Sequence, residues 1–189
     1  MKPRRIILLA LAFIAITGCC GQDWKQNSDG ITVRVADRKA DGPALVRLQV
    51  KGDNLVRVTA TPETRFADRK SLIIVPSEAK PEFTVISTDS TVSVVTSSVT
   101  ASVRFKDGMV SFADRNGVKI LDGNTMSFTP ISVEGRNEYS SLFTFDSPDD
   151  EAFYGLGQHQ SLEFNHKGGN EDLFQYNTKV SIPFVVSNR

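Results

Sequence analysis

The sequence contains little cysteine and no trace of helical patterning after its first residues. Cys19 and Cys20 are its only cysteines, so no disulfide framework can join distant segments. Past residue 18, no window of ten or more residues shows the i, i+3, i+4, i+7 apolar spacing of a surface helix. The fold must therefore be held by a hydrophobic core, and that core is not helical.

A surplus of either charge is also missing. The 22 Lys and Arg residues equal the 22 Asp and Glu residues in number, and neither sign gathers into a long block. Proteins that bind nucleic acids usually show a basic patch or stripe. The balanced charge excludes nucleic acid and other polyanions as expected partners.

The N-terminus has the pattern of an export signal. Basic residues precede the apolar run 6–16, which is shorter than the roughly 20 residues that span a bilayer. Residues 1–18 are thus predicted to be a signal peptide, and the residues 16–19 resemble the lipobox of bacterial lipoproteins. We expect Cys19 to carry lipid and to hold the protein in the cell envelope, in the periplasm or at the outer membrane, with ordinary cleavage and release as the alternative.

Residues 19–30 are mostly polar and are predicted to be a tether. Trp24 is the exception, and a lone Trp near a terminus more often plugs the edge of a core than stacks on a sugar. The mature chain beyond it, 31–189, has the length of one domain.

From Ile31 onward the apolar residues recur with a period of two, which predicts half-buried strands. Turn signals at 51–54, 106–108 and 115–117 separate several of these strands into hairpins, and Asp-Gly and Asn-Gly are the strongest of these signals. Strands are predicted at 31–35, 46–50, 56–60, 72–75, 83–85, 92–94, 99–105, 110–112, 118–121, 126–133, 142–145 and 180–186. Short strands at this spacing predict an all-β, antiparallel β-sandwich.

Two clusters of chemically versatile residues are weak candidates for catalysis. His159, Glu163 and His166 match no short zinc signature, so two loop histidines are the favoured interpretation and no metal is predicted. The acidic run 149–151 is typical of a solvated loop. The sequence also lacks a phosphate-binding loop and a nucleophile elbow, and it predicts no cofactor.

The segment 153–160 stands out from the other strands. Gly155 and Gly157 flank Leu156 and interrupt the alternation, which marks a bulge or a close backbone approach. Three hydrogen-bonding side chains then follow in succession: Gln158, His159 and Gln160. Such groups suit a ligand rich in hydroxyls, while an edge-strand bulge with polar decoration is an equal alternative.

The segments 153–160, 165–168, 175–178 and 181–187 together resemble the N-terminal domain of glycoside hydrolase family 31. The Gly-Gln-His-Gln form at 157–160 is closer to the α-xylosidases of that family and to related Bacteroidetes enzymes than to its animal α-glucosidases. Upstream, only the layout of the strands is similar.

The resemblance implies a galactose-mutarotase-like β-sandwich packed on a catalytic (β/α)8 barrel. The retaining reaction of the family uses two aspartates of that barrel, about 5 Å apart, so no catalytic residue is assigned in this chain. A loop of the sandwich reaches toward the substrate pocket in such enzymes, and the candidates for it here are Gln158, His159, Gln160, Asn165 and Lys167. These residues could instead brace the domain interface.

The strand predicted at 180–186 lies very close to Arg189, so we expect the sequence to be a fragment cut before the barrel. The leading hypothesis is the non-catalytic part of an α-glycosidase that acts on an α-linked oligosaccharide. Two alternatives remain: a free-standing glycan-binding lipoprotein and a purely structural sandwich. Trp24 and three tyrosines are few for a sugar-stacking platform, which speaks against the first alternative.

Overall fold

The computed structural model describes residues 23–68, 82–160 and 163–189, and every regular element in these ranges is a β-strand. The strands are β1 Trp24–Asn27, β2 Gly30–Arg34, β3 Leu45–Gly52, β4 Leu55–Thr61, β5 Thr84–Ser87, β6 Thr91–Val95, β7 Val99–Arg104, β8 Val110–Asp114, β9 Lys119–Val133, β10 Arg136–Asp146, β11 Phe153–Gln158 and β12 Val180–Ser187. In the same ranges no helix has the length and hydropathy needed to cross a membrane. The signal peptide, Cys19 and the strand predicted at 72–75 lie outside the described residues.

The strands pair only antiparallel and form three sheets in the described part of the chain. One has four strands in the order β1-β2-β3-β4, one has six in the order β10-β9-β8-β7-β6-β5, and β11 pairs with β12 alone. In the two larger sheets each strand pairs with its neighbours in sequence, so both are meanders. Such local pairing follows from short hairpin turns.

The two larger sheets share one hydrophobic core, to which each contributes alternate residues of its strands. Because successive side chains of a strand point to opposite faces, the apolar set of each strand reaches one side together. The side chains from β2, β3, β6 and β7 in this core are Ile31, Val33, Val46, Leu48, Val50, Val92, Val94, Ala101 and Val103, each at most 1% exposed. Burial of each large apolar side chain contributes about 1.5–3 kcal/mol. The predicted antiparallel sandwich is confirmed.

The prediction of a tether at 19–30 is wrong for its described part, which contains a strand. Trp24 to Asn27 form β1, which pairs with β2, and Gly30 is buried within β2. Polar residues can form this strand because β1 lies at the edge of its sheet, where most of its side chains meet water. Trp24 packs against the core, as expected of an edge plug.

The region 119–146 also differs from the prediction. Instead of separate strands at 118–121, 126–133 and 142–145, β9 runs unbroken over fifteen residues and pairs with β10. Asp122 and Gly123 pair with Asp146 and Phe145 of β10, while Asn124 has no partner, so a bulge at Asn124 interrupts the pairing without reversing the chain. The true reversal is Glu134-Gly135, where both residues have positive φ, as a two-residue hairpin loop requires.

Candidate functional site

The candidate site is built on the β11–β12 ribbon. Gly155 pairs with Val185 and Gly157 pairs with Ser181, so Leu156 stands opposite the three residues 182–184 without a partner. Leu156 has a φ of 60°, which is uncommon for a branched side chain. Pro183, which has no backbone N–H to donate, lies in this unpaired stretch. The bulge predicted from the glycine spacing is confirmed.

The two glycines are required by the closeness of the facing strand. A Cβ atom on Gly155 would lie 2.5 Å from the Phe184 carbonyl oxygen, and one on Gly157 would lie 2.1 Å from the Val180 carbonyl oxygen. Both glycines also have a φ above 100°, a backbone conformation that other residues rarely adopt. The ribbon can therefore turn the chain sharply into the segment that carries the polar side chains.

His159 and His166 converge on one carboxylate, that of Glu171. The Nδ1 atom of His166 lies 3.1 Å from Glu171 Oε1, and the Nδ1 atom of His159 lies 3.6 Å from Glu171 Oε2. His159 Nε2 donates to the Leu156 carbonyl at 2.7 Å, which ties the cluster to the bulge. Both imidazoles are largely buried, with side chains 7% and 12% exposed. This cluster fixes the conformation of the loop that follows β11.

The cluster resembles the His-Glu-His pattern noted in the sequence, but with a different carboxylate. The carboxylate beside the two histidines is that of Glu171, which the sequence pattern did not include. Glu171 was missed because it lies in an irregular loop, where sequence offset says little about position in space. No group of His, Cys, Asp and Glu in the described ranges could hold a metal ion.

Asn165 and Lys167 are engaged with the backbone of their own loop and its neighbour. The Asn165 side-chain oxygen accepts hydrogen bonds from the N–H groups of Phe153 and Lys167, both at 3.0 Å. The Lys167 ammonium donates to the Ser147 hydroxyl at 3.1 Å and to the Pro148 carbonyl. These contacts clamp the loop to the start of β11.

Gln158 and Gln160 are both exposed and flank His159, whose ring is largely buried. Gln158 is the last residue of β11 and Gln160 follows in the loop, so the bulge and the histidine cluster set the position of both. An exposed amide held on an ordered backbone offers both a donor and an acceptor to a ligand. The structure thus joins the two predicted segments through the His159 and His166 rings, whereas Asn165 contacts the start of β11 and Gln158 lies at its end.

An exposed aromatic pair borders the same region and was missed as a unit. The rings of Phe174 and Tyr176 stack with centroids 5.0 Å apart and an interplanar angle of 24°, and each residue is 54% exposed. Lys179 Nζ lies 5.6 Å from the Phe174 ring centroid. The alternation of Phe174 and Tyr176 in the sequence was the signal that would have found the pair.

The acidic run 149–151 joins the ends of the ribbon. Glu151 is only 6% exposed and accepts a hydrogen bond of 2.6 Å from the Ser187 hydroxyl, while Asp150 pairs with Arg189 at 2.6 Å. The hydrogen bond from Ser187, together with one from Ser147, holds the pKa of Glu151 below its usual value. The prediction of a solvated loop is wrong for Glu151, whose carboxylate anchors β12.

Both faces of β12 expose apolar side chains. Five of them are between 45% and 64% exposed: Val180, Ile182, Phe184, Val185 and Val186. A concentration of exposed apolar side chains typically marks a contact surface for another protein or domain. We define these five residues as the β12 patch.

Comparison with protein families gives this ribbon a context. Residues 45–189 match the model of the glycosyl hydrolase 31 N-terminal galactose mutarotase-like domain. The match covers most of the chain and includes the ribbon, the histidine cluster and the β12 patch. The chain belongs to this family.

Solved structures of family 31 enzymes share the fold. An α-xylosidase of the family from Xanthomonas citri is 41% identical, covers 86% of this chain and superimposes with a TM-score of 0.80. An α-xylosidase from a soil metagenome, complexed with xylose, is 24% identical over 87% of this chain with a TM-score of 0.65. A curated relative, an uncharacterized family 31 glucosidase from Pseudescherichia vulneris, is 23% identical over 167 residues.

The chain spans only part of these proteins. It covers 18% of the Xanthomonas citri enzyme, 26% of the metagenome enzyme and 31% of the Pseudescherichia vulneris protein. The family 31 N-terminal domain is thus one component of each of these larger proteins.

Proposed function

We propose that this chain is the non-catalytic N-terminal sandwich of a retaining α-glycosidase of family 31 with α-xylosidase activity. The observation that supports it most is the 41% identity to the Xanthomonas citri α-xylosidase, which extends over 86% of the chain. Cleavage itself would use two aspartates of a catalytic (β/α)8 barrel. The contribution of this chain is to position that barrel and to shape the mouth of its substrate pocket.

The β12 patch is the proposed contact with the barrel. Its side chains are apolar and about half exposed, whereas the core residues of the sandwich are at most 9% exposed. The strand is anchored at its end by Glu151 and Arg189, so the patch is presented on an ordered backbone. Apolar area on an ordered strand loses little conformational entropy when it is covered.

The five predicted site residues have two roles in this proposal. Gln158 and Gln160 are exposed and would hydrogen-bond to sugar hydroxyls at the pocket mouth. His159, Asn165 and Lys167 hold the loop that carries them, through the Leu156 carbonyl, the Phe153 backbone and the Pro148 turn. The first pair binds substrate, and the other three are positioning residues.

Hydrolysis of aryl α-xylosides by the parent enzyme and by the chain alone tests the proposal. We expect hydrolysis only when the sandwich and the barrel are both present.

Gln158→Ala in the parent enzyme should raise KM several-fold with a smaller change in kcat, because a remote substrate contact contributes mainly to binding. Gln26→Ala, an exposed glutamine of β1, is the matched control and should leave both constants unchanged. Hydrolysis of an aryl α-xyloside by the pure chain would show that the assignment is wrong.

We also propose that Cys19 anchors the protein in the cell envelope, since a lipobox-like sequence follows an apolar run. Wild-type protein should sediment with membranes and enter the detergent phase, because several acyl chains on one residue bind a bilayer firmly. Cys19→Ala should shift it to the soluble or unprocessed fraction. Equal partition of both proteins into detergent would contradict the anchor.

A further inference from the structure

The outer face of the four-stranded sheet carries a cleft that the function proposed above does not use. The cleft has a volume of about 660 Å³, within the range of about 300–1,000 Å³ that small-ligand sites usually have. Polar residues of β1 to β3 that alternate with the core residues form its floor, among them Asn27, Thr32 and Arg47. Trp24 and Phe66 contribute apolar surface to its lining.

Arg47 is the unusual residue of this cleft. Its guanidinium lies 4.4 Å from the centroid of the Phe66 ring, so the planar group is held in one place. Its Nε atom is buried and has no hydrogen-bond partner among the described residues. A buried donor without an acceptor is costly, so the described residues do not fully satisfy this guanidinium.

The electrostatic balance of the cleft favours an anion. Lys25, Arg34, Arg47 and Arg65 line it, against the two carboxylates Asp23 and Asp29. In the described ranges, none of the three arginines forms an ion pair with a carboxylate. Asp29 interacts with Arg47 only at longer range, so among the described residues the positive charges of the cleft outnumber the negative ones and none of the arginines is held in a close ion pair.

Asp29 does not supply the missing acceptor, because its carboxylate is held elsewhere. It accepts hydrogen bonds from Gln49 Nε2 at 2.8 Å and from Lys51 Nζ at 2.9 Å. Burial raises the pKa of Asp29, but these two hydrogen bonds outweigh it and keep the pKa below its usual value. Asp29 is thus ionised and committed to Lys51 and Gln49.

We propose that the cleft binds the carboxylate of a uronic acid, as found in acidic glycans. The planar fork of an arginine matches a carboxylate in two parallel hydrogen bonds. Asn27 Nδ2 donates to the Thr32 hydroxyl at 2.9 Å, which leaves the Asn27 side-chain oxygen and the Thr32 O–H to pair with the ring hydroxyls of a sugar. No single residue of this set was singled out by the sequence as an anion ligand, because the arginines are far apart along the chain.

Calorimetric titration of the purified full chain with sodium D-glucuronate tests this site. D-Glucuronamide keeps the ring and loses the charge, and inorganic phosphate keeps an anion and loses the ring. We expect glucuronate to bind, and both other compounds to bind at least about tenfold more weakly, the effect of losing one charge-assisted contact. Equal binding of glucuronamide, or phosphate binding as tight as that of glucuronate, would overturn the assignment to a sugar acid.

Variants of three arginines locate the site. Arg47→Gln should weaken glucuronate binding about tenfold, and Arg65→Gln, an exposed position where folding is not at risk, should weaken it measurably. Arg57→Gln is the matched control, since Arg57 is an exposed arginine of β4 outside the cleft. Thermal melts of each variant check the fold. Unchanged affinity in both Arg47→Gln and Arg65→Gln would refute the proposal, as would equal loss in Arg57→Gln.

Discussion

β3 and β12 are both eight-residue strands rich in apolar residues, but they lie in opposite environments. In β3 the apolar residues alternate with polar ones, and Val46 and Leu48 are fully buried in the sandwich core. In β12 residues 182–186 form a continuous apolar run, a pattern typical of strands buried on both faces. Phe184 is nevertheless 64% exposed. The apolar residues of β3 are buried within this chain. Those of β12 are left exposed, which favours contact with a neighbouring domain.

The difference between β3 and β12 separates residues that stabilise this chain from residues that would contact the proposed barrel. Truncations in the sandwich core should reduce the stability of the chain, because they remove contacts that exist within it. Truncations in the β12 patch should leave that stability almost unchanged and instead weaken the contact with the proposed barrel. The following substitutions test this separation, from the largest expected effect to the smallest.

Leu48→Ala and Phe184→Ala test most directly whether β3 and β12 differ in their contribution to the stability of the chain. Leu48 is fully buried, so its truncation should lower the free energy of unfolding of the chain by about 3 kcal/mol through lost burial and a residual cavity. Phe184→Ala removes a mostly exposed ring and should cost less than about 1 kcal/mol. Urea unfolding of both variants gives the measurement. A loss for Phe184→Ala as large as that for Leu48→Ala would mean that the chain itself covers the patch.

Gly157→Ala tests whether the ribbon depends on close backbone approach. The added Cβ would lie 2.1 Å from the Val180 carbonyl oxygen, so β11 and β12 must separate, at a local cost of about 2 kcal/mol or more. We expect amide hydrogen exchange to accelerate in β11 and β12, with the sandwich core unaffected.

Gly117→Ala is the control for backbone conformation alone. Gly117 also has positive φ, but a Cβ there would meet nothing within 4 Å. Its cost should be near the roughly 1–2 kcal/mol of the left-handed conformation. If exchange in the ribbon stays unchanged in Gly157→Ala, close approach is not what requires this glycine.

Much of the sandwich could be predicted because its strands are buried on one face only. Residues such as Val92 and Val103 alternate with polar neighbours, and the turns Asp107-Gly108 and Asn116-Gly117 mark where the chain reverses. The β9–β10 hairpin could not be drawn in full, because β10 is exposed at almost every position and shows no burial period. The Asp122-Gly123 pair has the composition of a turn but is paired within the hairpin, next to the bulge at Asn124.

The sequence predicted where in the chain the candidate site lies. It did not predict which side chains of the site contact one another. The glycines around Leu156 signalled a bulge because few other residues tolerate that backbone. The pairing of His159 and His166 with Glu171 depends on how an irregular loop folds, and no periodicity reports this. Likewise, Arg47 and Phe66 lie on separate segments, so the cleft could not be assembled from the sequence.

Asn165→Ala tests whether the hydrogen bonds of the Asn165 side chain hold the loop beside the β11–β12 ribbon in place. The side-chain oxygen accepts two backbone hydrogen bonds, so its removal should loosen the loop by about 1–2 kcal/mol. Asn165→Asp keeps an acceptor oxygen in place and should retain most of the loop's order. Amide exchange at Phe153 and Lys167 gives the measurement. If Asn165→Ala preserves their protection, the residue is not a clamp and a direct contact with sugar becomes its better assignment.

Asp107→Asn should have the smallest effect and lies entirely in the sandwich. Burial raises the pKa of Asp107, but hydrogen bonds from the Arg104 guanidinium and the Met109 N–H outweigh it and hold the pKa below its usual value. Ionised Asp107 therefore contributes stability above the unfolded-state pKa of about 3.9, and that contribution is lost as pH falls through the lower pKa of the folded state.

At pH 7 the variant should be less stable than wild type by about 1 kcal/mol, the scale of a part-exposed bidentate pair. The difference should shrink toward zero in a second measurement at acidic pH, below the folded-state pKa, where the wild-type carboxyl takes up its proton. Asp89→Asn, at an exposed turn between β5 and β6, is the control and should show no such pH-dependent difference. Urea unfolding at both pH values decides, and a constant difference between Asp107→Asn and wild type would mean that the Arg104 pair does not stabilise this turn. In the described ranges, no hydrogen bond or ion pair joins Arg104 or Asp107 to residues 153–189, so amide exchange in the β11–β12 ribbon should not respond to Asp107→Asn at either pH.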